Sequence, residues 1–118
     1  MFDKEFSLVG VTFEPAMSNL ALCADFSKQG NPTLVELKAD PDNKYDSNAI
    51  RVLFKCGTPD FIEVGWIAKK ENQLLHNYGL EKLVARFLTY KYLLRSDGHE
   101  DLVGAKIQVT GMTIISRW

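Results

Sequence analysis

Three carboxylates and one tyrosine lie close together in residues 40–52, which read Asp-Pro-Asp-Asn-Lys-Tyr-Asp-Ser-Asn-Ala-Ile-Arg-Val. Asp40, Asp42 and Asp46 offer oxygen ligands to a divalent cation, but the central glycine and the distal glutamate of a calcium-binding loop are missing. Short polar side chains of this kind bond nearby backbone amides, and Pro41 fixes a turn. The segment therefore predicts a turn that leads into a strand, without a metal ion.

The remaining reactive side chains form no catalytic pattern. His76 and His99 are the only histidines, and neither has a partner at the spacing of a zinc site. No hydroxyl or thiol stands in a pattern that sets it beside a general base. Cys23 and Cys56 are predicted to be reduced, buried thiols, with a disulfide as the alternative. We expect a protein that is not an enzyme and uses no cofactor.

The composition is typical of one globular domain. The 118 residues are 46% hydrophobic and 25% charged, and we assign residues 1–118 to a single domain. No apolar stretch is long enough to span a membrane, and the N-terminal residues lack the layout of a secretory signal. A cytoplasmic location without membrane contact is expected.

The formal net charge of −1 argues against a nucleic-acid footprint spread over the whole surface. Residues 69–95 are the exception, with six basic residues against two acidic ones. This local excess allows a small basic patch, although such a run is more often a solvated face. The basic residues are Lys69, Lys70, Lys82, Arg86, Lys91 and Arg95.

Alternating apolar residues indicate several strands that must position these side chains. Residues 6–13 predict a strand with a bend at Gly10, and residues 33–38 predict a second strand. Residues 49–55 and 61–67 predict a hairpin, because Ile50, Val52 and Phe54 alternate with polar or outward-facing positions. Residues 102–115 predict a final strand, which follows a polar loop.

One helix is clearly indicated, and two segments are ambiguous. Residues 68–79 contain strong helix formers and end at a glycine, which favours a short helix. Residues 17–26 suit a helix or a strand, and residues 80–94 have helical spacing but strand-forming residue types. The whole pattern indicates a β-rich α+β fold, compatible with a small barrel or half-barrel carrying an inserted helix.

Residues 40–52, the hairpin that follows, and Val-Gly-Trp-Ile-Ala-Lys-Lys at residues 64–70 together resemble the signature of the HIRAN family. Val-Gly-Val-Thr-Phe at residues 9–13 is similar to an upstream motif of that family. The resemblance implies a small OB-like β-barrel with one or two inserted helices, and it favours a strand over residues 83–93. It also implies nucleic-acid binding in DNA repair or processing, because HIRAN domains occur fused to DNA-remodelling helicases and as short free-standing proteins.

The resemblance further implies recognition of the 3′-hydroxyl end of single-stranded DNA. Tyr45 and Asp46 would face the terminal nucleotide, since a carboxylate accepts a hydrogen bond from a hydroxyl and repels a terminal phosphate. Phe13 would stack on a base. The other site residues implied are Asn43, Trp66, Lys69 and Lys70.

Departures from the family pattern leave other functions open. Thr12 stands where DNA-binding members have an arginine, and residues 15–34 form a longer segment than in compact members. A second stacking aromatic is expected among Phe87, Tyr90 and Tyr92.

A helicase or nuclease acting in trans is the expected partner. The alternative is a protein-interaction module that uses residues 40–46 as an acidic loop and binds no nucleic acid.

Overall fold

A computed structural model describes residues 2–111, in which six antiparallel strands form one sheet with the order β1-β6-β5-β2-β3-β4. The sequence neighbours β2 and β3, β3 and β4, and β5 and β6 are paired directly. The strands are β1 (Asp3–Ser7), β2 (Leu34–Ala39), β3 (Ile50–Lys55), β4 (Ile62–Trp66), β5 (Leu83–Leu94) and β6 (Glu100–Gly111).

The two outer strands of the sheet, β1 and β4, approach each other where β1 ends. Val9 and Trp66 form an isolated antiparallel bridge, in which each backbone N–H donates to the other residue's carbonyl at 2.9 Å. The sheet therefore curls on itself into an OB-like half-barrel. This confirms the predicted β-rich α+β fold class with inserted helices.

Two helices accompany the sheet in the described residues. The ambiguous segment at residues 17–26 is helical and belongs to α1 (Ala16–Lys28), which packs against β4 and buries Leu20 and Cys23. The predicted helix at residues 68–79 is α2 (Lys69–Tyr78). It ends at Gly79, whose φ of 102° favours glycine.

The core lies inside the curled sheet, and β3 shows how the sequence produces it. Ile50, Val52 and Phe54 are fully buried, while the residues between them are partly exposed, as the alternation predicts. Phe54 contacts the rings of Phe87 and Tyr90 edge to face, with centroids 5.7 and 6.2 Å away. These contacts tie β3 to β5 across the barrel.

The predicted strand at residues 6–13 is wrong in its extent. The strand itself ends at Ser7, and only Val9 continues the pairing, through its bridge to Trp66. Gly10 adopts a φ of 70°, and a turn follows in which the Phe13 N–H donates to the Gly10 carbonyl at 3.3 Å. The left-handed backbone at Gly10 stops the strand and turns the chain toward α1.

The C-terminal half is a long hairpin of β5 and β6. The strand that the family resemblance favoured over residues 83–93 is confirmed as β5, after a 3-10 turn at Leu80–Lys82. The final strand begins at Glu100, two residues before the predicted start, so part of the predicted polar loop is in β6. The predicted continuation to residue 115 lies outside the described residues.

Cys23 and Cys56 are both buried and free, as predicted. Burial raises the pKa of the Cys23 thiol to about 11, and Cys56 nearby acts in the same direction. Cys23 is therefore a protonated thiol at neutral pH. Neither helix within residues 2–111 is long and apolar enough to cross a membrane.

Replacing Phe54 by alanine is expected to lower the free energy of unfolding by about 3–5 kcal/mol, because the change empties a fully buried site between two aromatic rings. Urea denaturation followed by far-ultraviolet circular dichroism measures this loss. Phe13→Ala is the matched control, since Phe13 is 72% exposed and its loss should change stability by less than about 0.5 kcal/mol. Equal losses in both variants would contradict this description of the core.

Candidate nucleic-acid interface

A cleft of about 540 Å³ opens beside the point where the sheet closes on itself. Three segments that are far apart in the sequence form its walls: the stretch from Gly10 to the first residue of α1, the loop between β2 and β3, and strand β4. The residues lining it are Gly10, Phe13, Glu14, Ala16, Asn43, Tyr45, Glu63 and Trp66. Four of the seven predicted site residues are among them: Phe13, Asn43, Tyr45 and Trp66.

Three aromatic side chains line this cleft, and two of them are unusually exposed. Tyr45 is 87% exposed and Phe13 is 72% exposed, although both are large rings that proteins usually cover. Trp66 is half-buried and lies against Gly10, where a Cβ atom would come within 2.6 Å of Trp66 Cδ1. The absence of a side chain at Gly10 therefore makes room for the indole at the cleft wall.

Asn43 organises the loop that carries Tyr45. Its Oδ1 accepts hydrogen bonds from the backbone N–H groups of Tyr45 at 2.9 Å and Asp46 at 3.1 Å, and its Nδ2 donates to Asp40 Oδ2 at 3.2 Å. All of these bonds are internal to the loop. Asn43 therefore fixes the backbone beneath Tyr45, in addition to lining the cleft.

Asp46 lies outside the cleft lining and connects the same loop to α2. Its Oδ1 accepts from the Asn48 backbone N–H at 2.9 Å, and its Oδ2 accepts from Asn72 Nδ2 at 2.8 Å. Asp46 is half-buried, whereas Asn72 is only 3% exposed. A carboxylate has about four acceptor positions, so these two bonds orient Asp46 and leave it able to accept further hydrogen bonds.

Lys69 and Lys70 form the exposed start of α2, three and four residues after Trp66. Neither lines the cleft or makes an ion pair with another residue in the 2–111 range. Lysines oppose the helix dipole at this end, so they do not serve helix stability. Lys69 lies three residues before Asn72, on the same helix face, and so on the side that contacts the Asp46 loop.

The three candidates for a second stacking aromatic all lie away from the cleft. Phe87 and Tyr90 pack on Phe54, and burial raises the pKa of Tyr90 well above its ordinary value. Tyr92 is 37% exposed, but its ring lies 5.3 Å from the Lys28 Nζ atom. Trp66 is instead the third aromatic residue of the cleft.

Two carboxylates in the cleft lining were not predicted from the sequence. Glu14 receives hydrogen bonds from the Ser18 hydroxyl and, at 2.8 Å, from the Ser18 backbone N–H, and these bonds lower the pKa of Glu14. Glu63 contacts Arg51 at 3.5 Å. Within residues 2–111, the cleft lining therefore contains two carboxylates and no basic residue, and one of the carboxylates, Glu63, is paired with Arg51.

Asn72 and Glu63 were not predicted as site residues, and the sequence pattern indicates the position of only one of them. Asn72 lies three residues before the buried Leu75, which places it on the buried face of α2. Glu63 lies in the second strand of the predicted hairpin. Its place in the cleft wall could not be predicted, because the segment that forms the helix covering β4 suits a helix or a strand.

Within residues 2–111, no group of three or more His, Cys, Asp or Glu side chains is arranged to hold a metal ion.

A small OB-like barrel that presents an aromatic cleft has the architecture of a binding module. A family model described as the HIRAN domain matches residues 3–98, which is most of the chain. The chain therefore belongs to the HIRAN domain family, which is generally a nucleic-acid-binding module and is not itself catalytic. No curated protein and no solved structure matches this sequence.

Asn43→Ala is expected to loosen the loop beneath Tyr45, because it removes the acceptor of two backbone N–H groups. A hydrogen bond contributes about 1 kcal/mol net, so amide hydrogen exchange at Tyr45 and Asp46 should accelerate about fivefold or more, as measured by nuclear magnetic resonance. Lys44→Ala, an exposed change in the same loop, should leave both rates unchanged. Identical exchange in the two variants would show that Asn43 does not hold the loop.

Proposed function

We propose that this HIRAN domain binds the 3′ end of single-stranded DNA in the aromatic cleft and acts in DNA repair or processing. The observation that carries the proposal is that Phe13 and Tyr45, which are highly exposed aromatic rings, line one cleft together with Trp66. An aromatic ring held in solvent at the mouth of a cleft is suited to stacking on the face of a flat aromatic ligand. Nucleobases are such ligands, and all four bases present a face for stacking.

The stacking energy is large enough to decide binding. Each contact between a base and an aromatic side chain contributes about 1–3 kcal/mol. Phe13 and Tyr45 belong to different loops, and Asn43 fixes the backbone of the second loop before any ligand arrives. A preformed site of this kind avoids part of the ordering cost of binding.

Asp46 is the group that distinguishes the end of the strand in this proposal. Its carboxylate accepts a hydrogen bond from a 3′-hydroxyl and repels a 3′-phosphate. Asn72 and the Asn48 amide hold the carboxylate in place. Asp46 follows Tyr45 in the same loop, and in this proposal the sugar that adjoins the base stacked on Tyr45 lies near the Asp46 carboxylate.

Lys69 and Lys70 supply the phosphate contacts in this proposal. Both are exposed and free of ion pairs within the described part of the chain. Two lysines neutralise few phosphates, and Thr12 adds no charge, so binding should be weak and is best measured at low salt. A helicase or nuclease working on the same strand in trans is the kind of partner that would use such an end-binding domain.

The domain is expected to bind a single strand ending in a 3′-hydroxyl about fivefold or more tightly than the same strand ending in a 3′-phosphate, since like charges a few ångströms apart cost at least about 1 kcal/mol. Fluorescence anisotropy with 5′-labelled strands at low salt measures both affinities. Asp46→Asn should reduce the ratio to near one, because the amide keeps an oxygen acceptor but loses the charge.

Asp42→Asn is the matched control for this experiment, because Asp42 is an exposed carboxylate of the same loop and the substitution changes the charge equally. It should keep the end preference of the original protein. Equal affinity for the two ends in the unaltered protein would remove end recognition. Failure to bind any strand at low salt would remove the proposal as a whole.

Phe13→Ala and Tyr45→Ala should each weaken binding of the 3′-hydroxyl strand about 5- to 150-fold, which corresponds to the loss of one stacked base. Tyr92→Ala removes an exposed aromatic residue outside the cleft and should leave the affinity unchanged. Titration by anisotropy, with circular dichroism to confirm folding, provides the measurement. Weakening by Tyr92→Ala alone would locate the binding surface on the β5–β6 hairpin instead.

A further inference from the structure

Glu63 is an unusual residue for the wall of an aromatic cleft. Its side chain is only 18% exposed, and it lines the cleft together with Phe13, Tyr45 and Trp66. α1 packs over β4 beside it, and the Asn19 side-chain amide donates to the Glu63 backbone carbonyl at 2.9 Å. This bond fixes the backbone of Glu63, so the side chain is presented from a rigid strand.

The internal contacts of the Glu63 carboxylate leave much of its hydrogen-bonding capacity unused. Within residues 2–111, its side-chain partner is Arg51, and the Arg51 Nη1 to Glu63 Oε1 distance of 3.5 Å is at the long limit for a hydrogen bond. A carboxylate has about four acceptor positions. Burying a carboxylate costs free energy unless its oxygens are hydrogen-bonded. A ligand that donates hydrogen bonds in the cleft would therefore satisfy the unused acceptor positions of Glu63.

A base stacked on the aromatic rings exposes its edge to the side of the cleft, and the bases differ in what that edge donates. Guanine carries two adjacent donors, N1–H and the N2 amino group, which match the two oxygens of one carboxylate. Cytosine and adenine place one amino donor beside a ring nitrogen that only accepts. Thymine places its single N–H between two carbonyl groups, which a carboxylate repels.

We propose that Glu63 reads the base in the cleft and makes this domain prefer a strand that ends in guanine. This inference rests on the proposed binding of a 3′ end in the cleft. Glu14, the other carboxylate of the lining, has both oxygens hydrogen-bonded to Ser18. Glu63 is therefore the carboxylate with more capacity to bond a base.

The test compares short single strands of one sequence that differ only in their 3′-terminal base, each with a 3′-hydroxyl and a 5′ label. The strand ending in guanine is expected to bind at least about fivefold more tightly than the strand ending in thymine. This ratio corresponds to the lower end of the discrimination given by a bidentate base contact. A strand ending in inosine, which keeps N1–H but lacks the N2 amino group, separates hydrogen bonding from stacking. It should bind more weakly than the guanine strand.

Glu63→Gln should abolish the difference between guanine and inosine, because a neutral amide cannot accept two parallel hydrogen bonds. Glu36→Gln is the matched control, since Glu36 is an exposed carboxylate on β2 outside the cleft and the substitution changes the charge equally. It should keep the guanine preference. Circular dichroism confirms that both variants are folded.

Two outcomes would overturn the assignment to Glu63 and leave the proposed function in place. Equal binding of guanine, inosine and thymine strands, with an affinity that still depends on Tyr45, would refute base reading and leave the proposed function intact. A guanine preference that survives in Glu63→Gln would assign the reading to another group. No binding of any strand at low salt would instead refute the proposed function, and base reading with it.

Discussion

The pair of hydrogen bonds between Val9 and Trp66 joins the two outer strands of the sheet, and the cleft depends on that closure. Gly10 follows Val9 directly, and its backbone conformation turns the chain away from the sheet immediately after the bridge. The turn brings Phe13 to one side of the cleft, while Trp66, on the other strand of the bridge, lies in the wall. The same contact that closes the barrel therefore sets two of the three aromatic rings in position.

The loop between β2 and β3 carries Tyr45, the third aromatic residue of the cleft. Two sets of hydrogen bonds hold this loop, one within the loop and one to α2. Asn43 and Asp46 satisfy backbone amides inside the loop, which is the role that turn-forming residues ordinarily have. Asp46 also accepts a hydrogen bond from the buried Asn72, so the loop is attached to α2. Tyr45 takes part in this network only through its backbone. Its exposed ring is not required by the turn, so the fold provides no explanation for it.

The sequence predicted the parts of the fold in which local pattern and tertiary environment agree. The alternating apolar residues of β3 are buried, and α2 ends at the glycine that follows it, as the sequence predicted. The extent of the first strand could not be predicted, because the residue types on both sides of Gly10 suit a strand, whereas the chain leaves the sheet at the positive φ of Gly10. The helix α1 was ambiguous for a similar reason, since its contact with β4 selects the helical form.

The sequence indicated individual residues of the candidate site but not their arrangement in space. Family resemblance indicated Phe13, Tyr45 and Trp66, but their convergence depends on strand order and on the bridge between distant segments. Glu63 had no signal of its own, because a glutamate in a hairpin strand ordinarily faces solvent. In the structure α1 packs over β4, and its Asn19 side chain donates to the Glu63 backbone carbonyl.

The distribution of charge around the cleft restricts how a strand could lie in the proposed complex. Within residues 2–111, the cleft lining holds two carboxylates, Glu14 and Glu63, and no basic residue, so a phosphate is disfavoured there. Lys69 and Lys70 lie beyond the lining, at the start of α2, where a helix N-terminus also favours an anion. A nucleotide that satisfies both constraints directs its base into the cleft and its phosphate toward α2. In the proposed complex such a nucleotide would have its sugar between the cleft and α2, and the Asp46 carboxylate held by Asn72 is the group that we propose to contact it.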